Sequence, residues 1–219
     1  MVRPTTPLIN KQVAIKTALD IIDDEGLESI SMRRLAERLG VSSPSLYHHF
    51  QNKDVLLQAV CGLIFREIPL PDERTEGWAD FVMRTAYGSR EVMLQHRNAL
   101  PLMARFPPRQ VIPHIYERFG NLLLKRGLPV DMISVIISSF DTLVIGSATL
   151  KLARAQEDHG RTGSEQSGPL AEWERANPRS EEEVFRLMCR ALGDRIASYI
   201  AQAKHGPAAP ESAYLGIAP

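Results

Sequence analysis

Apolar residues recur along this chain at helical spacing, and no stretch alternates with a period of two for long enough to build a sheet. Over residues 11–24, Ile15, Ala18, Leu19 and Ile22 form one stripe, and Gly26 stops the run. Ser31 is placed as the N-cap of a second helix, with Met32, Leu35, Ala36 and Leu39 facing inward and Gly40 ending it. A short third helix starts near Pro44, and Asn52 caps a fourth, KDVLLQAVCGLIFREI. The segment PLPDERTEG, 69–77, reads as a loop and a domain boundary. Beyond it the pattern predicts helices at about 78–96, a broken piece near 99–105, one helix over about 108–126 closed by Gly127, and a long apolar helix at about 130–156. Residues 157–179 are polar and contain glycine, as expected of a mobile insert. Ser180 and Glu183 have capping-box spacing. They open a last helix, 181–203, with Val184, Leu187, Met188, Ala191, Leu192, Ile196 and Ile200 expected inside.

These elements make an all-α chain. A flexible arm, 1–10, precedes a three-helix helix-turn-helix domain, 11–66. A helical bundle occupies 77–204, and the tail 205–219 is expected to be disordered. Length is sufficient for one or two domains with a proper core, since the chain has 219 residues. The formal charge is zero, so affinity for a polyanion has to come from local arrangement. Cys61 and Cys189 lie far apart inside apolar helical patterns, which suits buried reduced thiols in a cytoplasmic protein better than a disulfide or a zinc site. The first ten residues lack the apolar core of a secretory leader. The stretch 132–150 is long enough to raise a membrane question, but Asp141 sits at its middle, and a bundle helix is the better reading.

The chemistry concentrates in LGVSSPSLYHHF, 39–50. A helix, a break at Gly40-Val41-Ser42 and a short helix have helix-turn-helix spacing. Ser42 or Ser43 can cap the second helix, and Pro44 fits its first turn, where no N–H is needed. Leu46 and Phe50 face the core, leaving Ser43, Pro44, Ser45, Tyr47, His48 and His49 outward. Short hydroxyls and hydrogen-bonding rings on an exposed helix tip suit a major-groove reader. A solvated helix end is the bland alternative. Neighbouring histidines on a helix diverge by about 100°, and no carboxylate or cysteine stands at ligand spacing, so no metal is expected. Between residues 31 and 53, Arg33, Arg34, Arg38 and Lys53 face one acid, Glu37. Lys53 at a helix start makes a phosphate site.

The run SMRRLAERLGVSSPSLYHHFQNKDVLL, 31–57, resembles the DNA-binding domain of the tetracycline-repressor family of transcriptional regulators, with similarity over about 11–66. The LGV turn, the Pro-x-Leu-Tyr-x-His-Phe run and the following lysine carry it. The resemblance implies an all-helical homodimer with a DNA-binding head and a ligand-binding and dimerising body. It implies DNA contacts at Arg33, Ser43, Pro44, Ser45, Tyr47, His48, His49 and Lys53. Of these, Tyr47, His49 and Lys53 are assigned to phosphates, Ser43, Pro44, Ser45 and His48 to base edges, and Arg33 to either. In the body, MLQHRNA and VIGSATLKLARAQ resemble the tetracycline repressor's own subclass. Where that subclass holds a metal chelate through a histidine this chain has Met103, and Thr85 and Ser89 replace an amide and an aromatic ring, so a magnesium–tetracycline ligand is not expected.

In the body, Met103, Phe106, Phe119, Ile137, Phe140 and Asp141 combine apolar bulk with one polar anchor, the make-up of a small-molecule site. Ser134, Ser138, Thr142 and Gly146 recur every four residues, a stripe suited to close helix packing or to a cavity wall. His96 and His114 read as structural or exposed. No cofactor is called for, and no hydrolase, zinc-protease or P-loop motif argues for an enzyme. The expected function is a repressor released from a palindromic double-stranded DNA operator by a small-molecule effector. The alternative is an effector-independent dimeric DNA-binding protein, which a filled, dry body interior would favour.

Overall fold

The computed structural model describes residues 10–72, 77–158, 168–176 and 179–205, and no strand occurs among them. All of the proposed arm but Asn10, and all of the proposed tail but His205, which ends the last helix, lie outside the described residues.

The head contains α1 (Lys11–Glu25), α2 (Met32–Leu39) and α3 (Ser43–Tyr47), followed by α4 (Lys53–Arg66). Each start has a local cause. The Asn10, Ser31 and Asn52 side chains accept from Gln12, Arg34 and Val55 N–H groups and so satisfy otherwise orphaned donors. Gly40, at φ 65°, ends α2 in the left-handed region, which glycine enters without strain. The stripes expected from periodicity close the core: Leu19, Ile22, Leu35, Leu46 and Phe50 are all fully buried. Burial of each such side chain contributes about 1.5–3 kcal/mol.

The body contains α5 (Trp78–Gln95), α6 (Leu100–Arg105), α7 (Pro108–Val111), α8 (Pro113–Lys125), α9 (Val130–Asp158), α10 (Pro169–Ala176) and α11 (Glu181–His205). Helix α9 packs against α5, α8 and α11. Helix α4 belongs to both halves, touching α1 on one side and α5, α6 and α7 on others. Gly88 on α5 lets Pro69 lie directly on that helix; a Cβ there would stand 2.6 Å from the proline ring.

Three expectations are corrected. The helix expected over 108–126 is two, because Pro113 disfavours helical geometry at Ile112, which adopts φ −130°, ψ 56°. Part of the expected mobile insert, Pro169–Ala176, is the helix α10. Leu187 and Met188, expected inside, are 46% and 50% exposed, and Ala191 is exposed with them, whereas Phe185, Cys189, Ile196 and Ile200 are buried. Helix α11 carries two apolar faces, and the single chain covers one. The capping box is as expected: Glu183 N–H donates to Ser180 Oγ, and the Ser180 N–H donates to the Glu183 carboxylate.

Head and body are also joined by polar groups. His96, at the end of α5, places Nδ1 2.7 Å from an Asp23 carboxylate oxygen and Nε2 3.0 Å from a Glu67 oxygen. Asn98 donates to the Asp23 carbonyl oxygen at 2.9 Å. A neutral imidazole has one N–H, so both ring bonds form together when the ring is protonated. Burial alone would lower the His96 pKa, but the bonds to Glu67 and Asp23 and their charges outweigh it and hold it above the ordinary value.

A folded-state pKa raised above the unfolded one adds stability that is complete below the unfolded value and disappears as pH rises through the folded value. His96→Gln is therefore expected to lower the melting temperature most near pH 6, about the unperturbed histidine pKa, and progressively less into the alkaline range. Thermal unfolding followed by circular dichroism across that series checks this; a gap independent of pH would count against the protonated clamp.

Candidate nucleic-acid interface and ligand cavity

At the head, α2 and α3 pack together across the turn at Gly40. The Val41 N–H reaches back to the Ala36 carbonyl at 3.0 Å, which fixes the angle between the two helices. Leu46 and Phe50 anchor α3 from beneath. Around this anchor, Pro44 and Tyr47 of α3 and His48 just beyond it are exposed, and Ser43, Ser45 and His49 are half-buried. Ser45 Oγ lies 2.8 Å from Ser42 Oγ, so Ser42 braces Ser45 instead of capping the helix. Lys53 opens α4 beside this tip, and Arg33 stands out from α2 with Glu37 3.3 Å away.

Three-dimensional structure alters the charge count. Arg34 donates to Glu25 at 2.6 and 3.1 Å, and Arg38 lies 3.6 Å from Glu25 and 3.8 Å from Asp24. The Arg34 bond and the charges of both arginines hold the Glu25 carboxyl below its ordinary range. Two of the four cations read from the sequence are thus matched by acids of α1, leaving Arg33 and Lys53 as the cations nearer the tip. Conversely, Lys11 of α1 lies 5.7 Å from the Phe50 ring centroid and brings a cation to the α3 end that no local pattern could reveal.

In the body, residues of α4, α5, α7, α8 and α9 line a partly open cavity of about 50 Å³. Phe119 forms its aromatic floor, with its centroid 6.2 Å from Phe81 and 5.4 Å from Phe140. Of the candidates named from the sequence, Phe119, Ile137, Phe140 and Asp141 line this space. Met103 and Phe106 do not. Met103 is buried on α6, which packs against α4, and Phe106 lies beneath the Arg105 guanidinium at 5.4 Å. Thr85, Ser89, Tyr116 and Arg118 also line it. Tyr116 was missed because its approach to Asp141 depends on the α8–α9 packing.

Tyr116 donates to Asp141 at 2.6 Å. Burial raises the Asp141 pKa above the ordinary carboxylate value, partly offset by the Tyr116 bond and the Arg109 charge. Burial and the Asp141 charge likewise hold the Tyr116 phenol far above its usual value. Burial pushes Cys61 up to about 12 and Cys189 up to about 11, so both thiols are poor nucleophiles. His114 borders a shallow surface hollow on α8.

The stripe Ser134, Ser138, Thr142 and Gly146 does not face this cavity. It lines an open groove of about 930 Å³ between α9 and α11. Apolar side chains flank the groove, with Val135 49% and Leu150 60% exposed, next to Met188. By length and composition α9 could cross a membrane over Val130–Ala155.

Residues 14–60 match the family described as "Bacterial regulatory proteins, tetR family", and residues 70–185 match "Tetracyclin repressor-like, C-terminal domain". The chain is 27% identical over 199 residues to the tetracycline repressor protein class E of Escherichia coli, covering 88% of this chain and 93% of that protein. It is similar to the Streptomyces coelicolor TetR family protein ActR solved with actinorhodin, at 28% identity and a TM-score of 0.71, covering 89% of this chain and 98% of that one. It is also similar to Mycobacterium smegmatis BioQ, at 26% identity and a TM-score of 0.70, covering 87% and 99%.

Tyr116→Phe is expected to raise the Asp141 pKa further, because the lost hydrogen bond favours the charged carboxylate. A carboxyl-carbon NMR titration of Asp141 checks this; an unchanged or lowered midpoint contradicts the pairing.

Proposed function

This chain belongs to the tetR family of bacterial regulatory proteins, and we propose that it is a cytoplasmic, non-enzymatic repressor. It binds a palindromic double-stranded DNA operator as a homodimer and is released by a small molecule. The observation that carries this reading is the union, through α4, of an exposed polar helix tip with an apolar body cavity: Lys53 starts α4 beside the tip, and Phe65 lines the cavity.

At the operator, α3 enters the major groove. Tyr47, His49 and Lys53 hold phosphates, Ser43, Pro44, Ser45 and His48 face base edges, and Arg33 reaches either. Phosphate contacts set affinity on any sequence, whereas base contacts set preference. Ser45→Ala should therefore change the ranking of operator variants, and Tyr47→Ala should weaken binding to all of them by a similar factor. Binding measured on a panel of operator variants separates the two; equal losses everywhere for Ser45→Ala would remove Ser45 from base reading.

Dimerisation uses the α9–α11 face. Its exposed apolar residues and small-residue groove admit a second copy closely, and covering them explains how a helix of this apolarity stays in solution. Leu187→Glu combined with Met188→Glu should yield single chains in sedimentation and lose palindrome binding. An unchanged dimer would move the interface elsewhere.

Release follows from linkage. The heads must match half-sites about 34–36 Å apart or a multiple of this. A ligand that prefers a dimer with another head spacing lowers operator affinity, by about 5–150-fold for a coupling of about 1–3 kcal/mol. ActR, a TetR family protein, has been solved with actinorhodin, and the cavity here favours an effector over the effector-independent alternative. At about 50 Å³ it is far below the roughly 300–1,000 Å³ of drug-sized sites. Entry must therefore widen it, and Phe65 passes that movement to α4. Selection of bound DNA from a random pool, followed by a small-molecule release screen, tests the whole reading: the expected result is a palindrome and a releasing compound.

A further inference from the structure

The cavity wall is apolar apart from a few groups, and one of these is a carboxylate. Asp141 is held in the middle of an apolar helix, turned toward Phe140, Phe119 and Tyr116. A charge in such surroundings is costly unless matched. Its Oδ1 accepts from Tyr116 at 2.6 Å. A carboxylate has acceptor capacity for several donors, so one phenol leaves most of it available.

The other charged group of the lining is engaged elsewhere. The Arg118 guanidinium donates to the Pro71 carbonyl oxygen at 3.2 Å and lies 5.9 Å from the Phe81 centroid, which draws it toward the strap at 69–72. Arg109 acts on Asp141 only through its field and does not line the space. Inside the cavity, then, a negative group faces aromatic rings, whose faces are themselves electron-rich and attract cations.

We propose that the effector is a lipophilic cation: a ring-bearing apolar molecule with one protonated amine that pairs with Asp141. This rests on the reading of the cavity as the effector site. The amine forms a charge-assisted bond to the carboxylate, and the rings lie against Phe81, Phe119 and Phe140. A carboxylate ligand would instead set two negative charges together in an apolar space. A neutral alcohol could donate to Asp141 but would leave its charge unmatched.

The test uses the full chain and three probes on one ring skeleton: naphthalen-2-ylmethylamine, naphthalen-2-ylmethanol and 2-naphthoate, titrated by calorimetry near neutral pH. The expected order is amine over alcohol by about tenfold or more, with the carboxylate weakest. Asp141→Asn should bring the amine down to the level of the alcohol, and Asp141→Glu should restore the gap; far-ultraviolet circular dichroism confirms that both variants fold. Equal binding of amine and alcohol, unaffected by Asp141→Asn, overturns the cation assignment and leaves the cavity reading intact. Ile137→Trp, which fills the cavity, should abolish binding of all three. Binding that survives this change, or wild-type chain that takes up none of the probes, overturns the cavity reading itself.

Discussion

Helix α4 is buried by two different bodies at once, and the rest of the molecule depends on that constraint. Leu56, Leu57, Val60, Cys61, Ile64 and Phe65 leave it almost no exposed apolar face. A surface helix has one stripe to satisfy; this one packs against α1 in the head and against α5, α6 and α7 in the body. From Lys53 to Phe65 is twelve residues, or about 18 Å of helix. A rod buried along both sides cannot bend cheaply, so displacement at its cavity end moves its DNA end. The bonds from His96 to Asp23 and Glu67, and the Arg105 bonds to Asp54, tie the same joint from outside. The exposed Arg105 pair adds little stability by itself.

Electrostatics at the head is correspondingly local. With no net charge, the chain has no long-range attraction for a polyanion as a whole, and at physiological salt fields fade within about 8 Å. Pairing of Arg34 and Arg38 with acids of α1 sharpens this further. The tip has to work mostly through shape and hydrogen bonding, which favours discrimination between sequences over general adhesion to DNA.

Much of this was legible in the sequence, for physical reasons. Caps and terminators act within four residues, so Ser31, Gly40, Asn52 and the Ser180–Glu183 box could be read directly. Head burial was legible because one stripe meets one core. The sequence was harder to read wherever partners come from a distance. Nothing near Arg34 announces Glu25 as its partner, nothing near Asp141 announces Tyr116, and Met103 looks like a cavity residue until α6 is seen against α4. Helix α11 misled for a different reason: periodicity identifies apolar faces but not what covers them, so Leu187 and Met188 were placed in the chain's own interior.

The contact of Gly88 with Pro69 has a consequence for how such a protein can diverge. The proline stands between Ile68 and Leu70, which wall the cavity, and it rests on α5 only because position 88 lacks a side chain. A lineage gaining even a methyl group at 88 must shift the strap, and one exchanging the proline gives up the ring that fills the space. Neither site can drift alone, so inherited variation in what the cavity admits is channelled to its other walls.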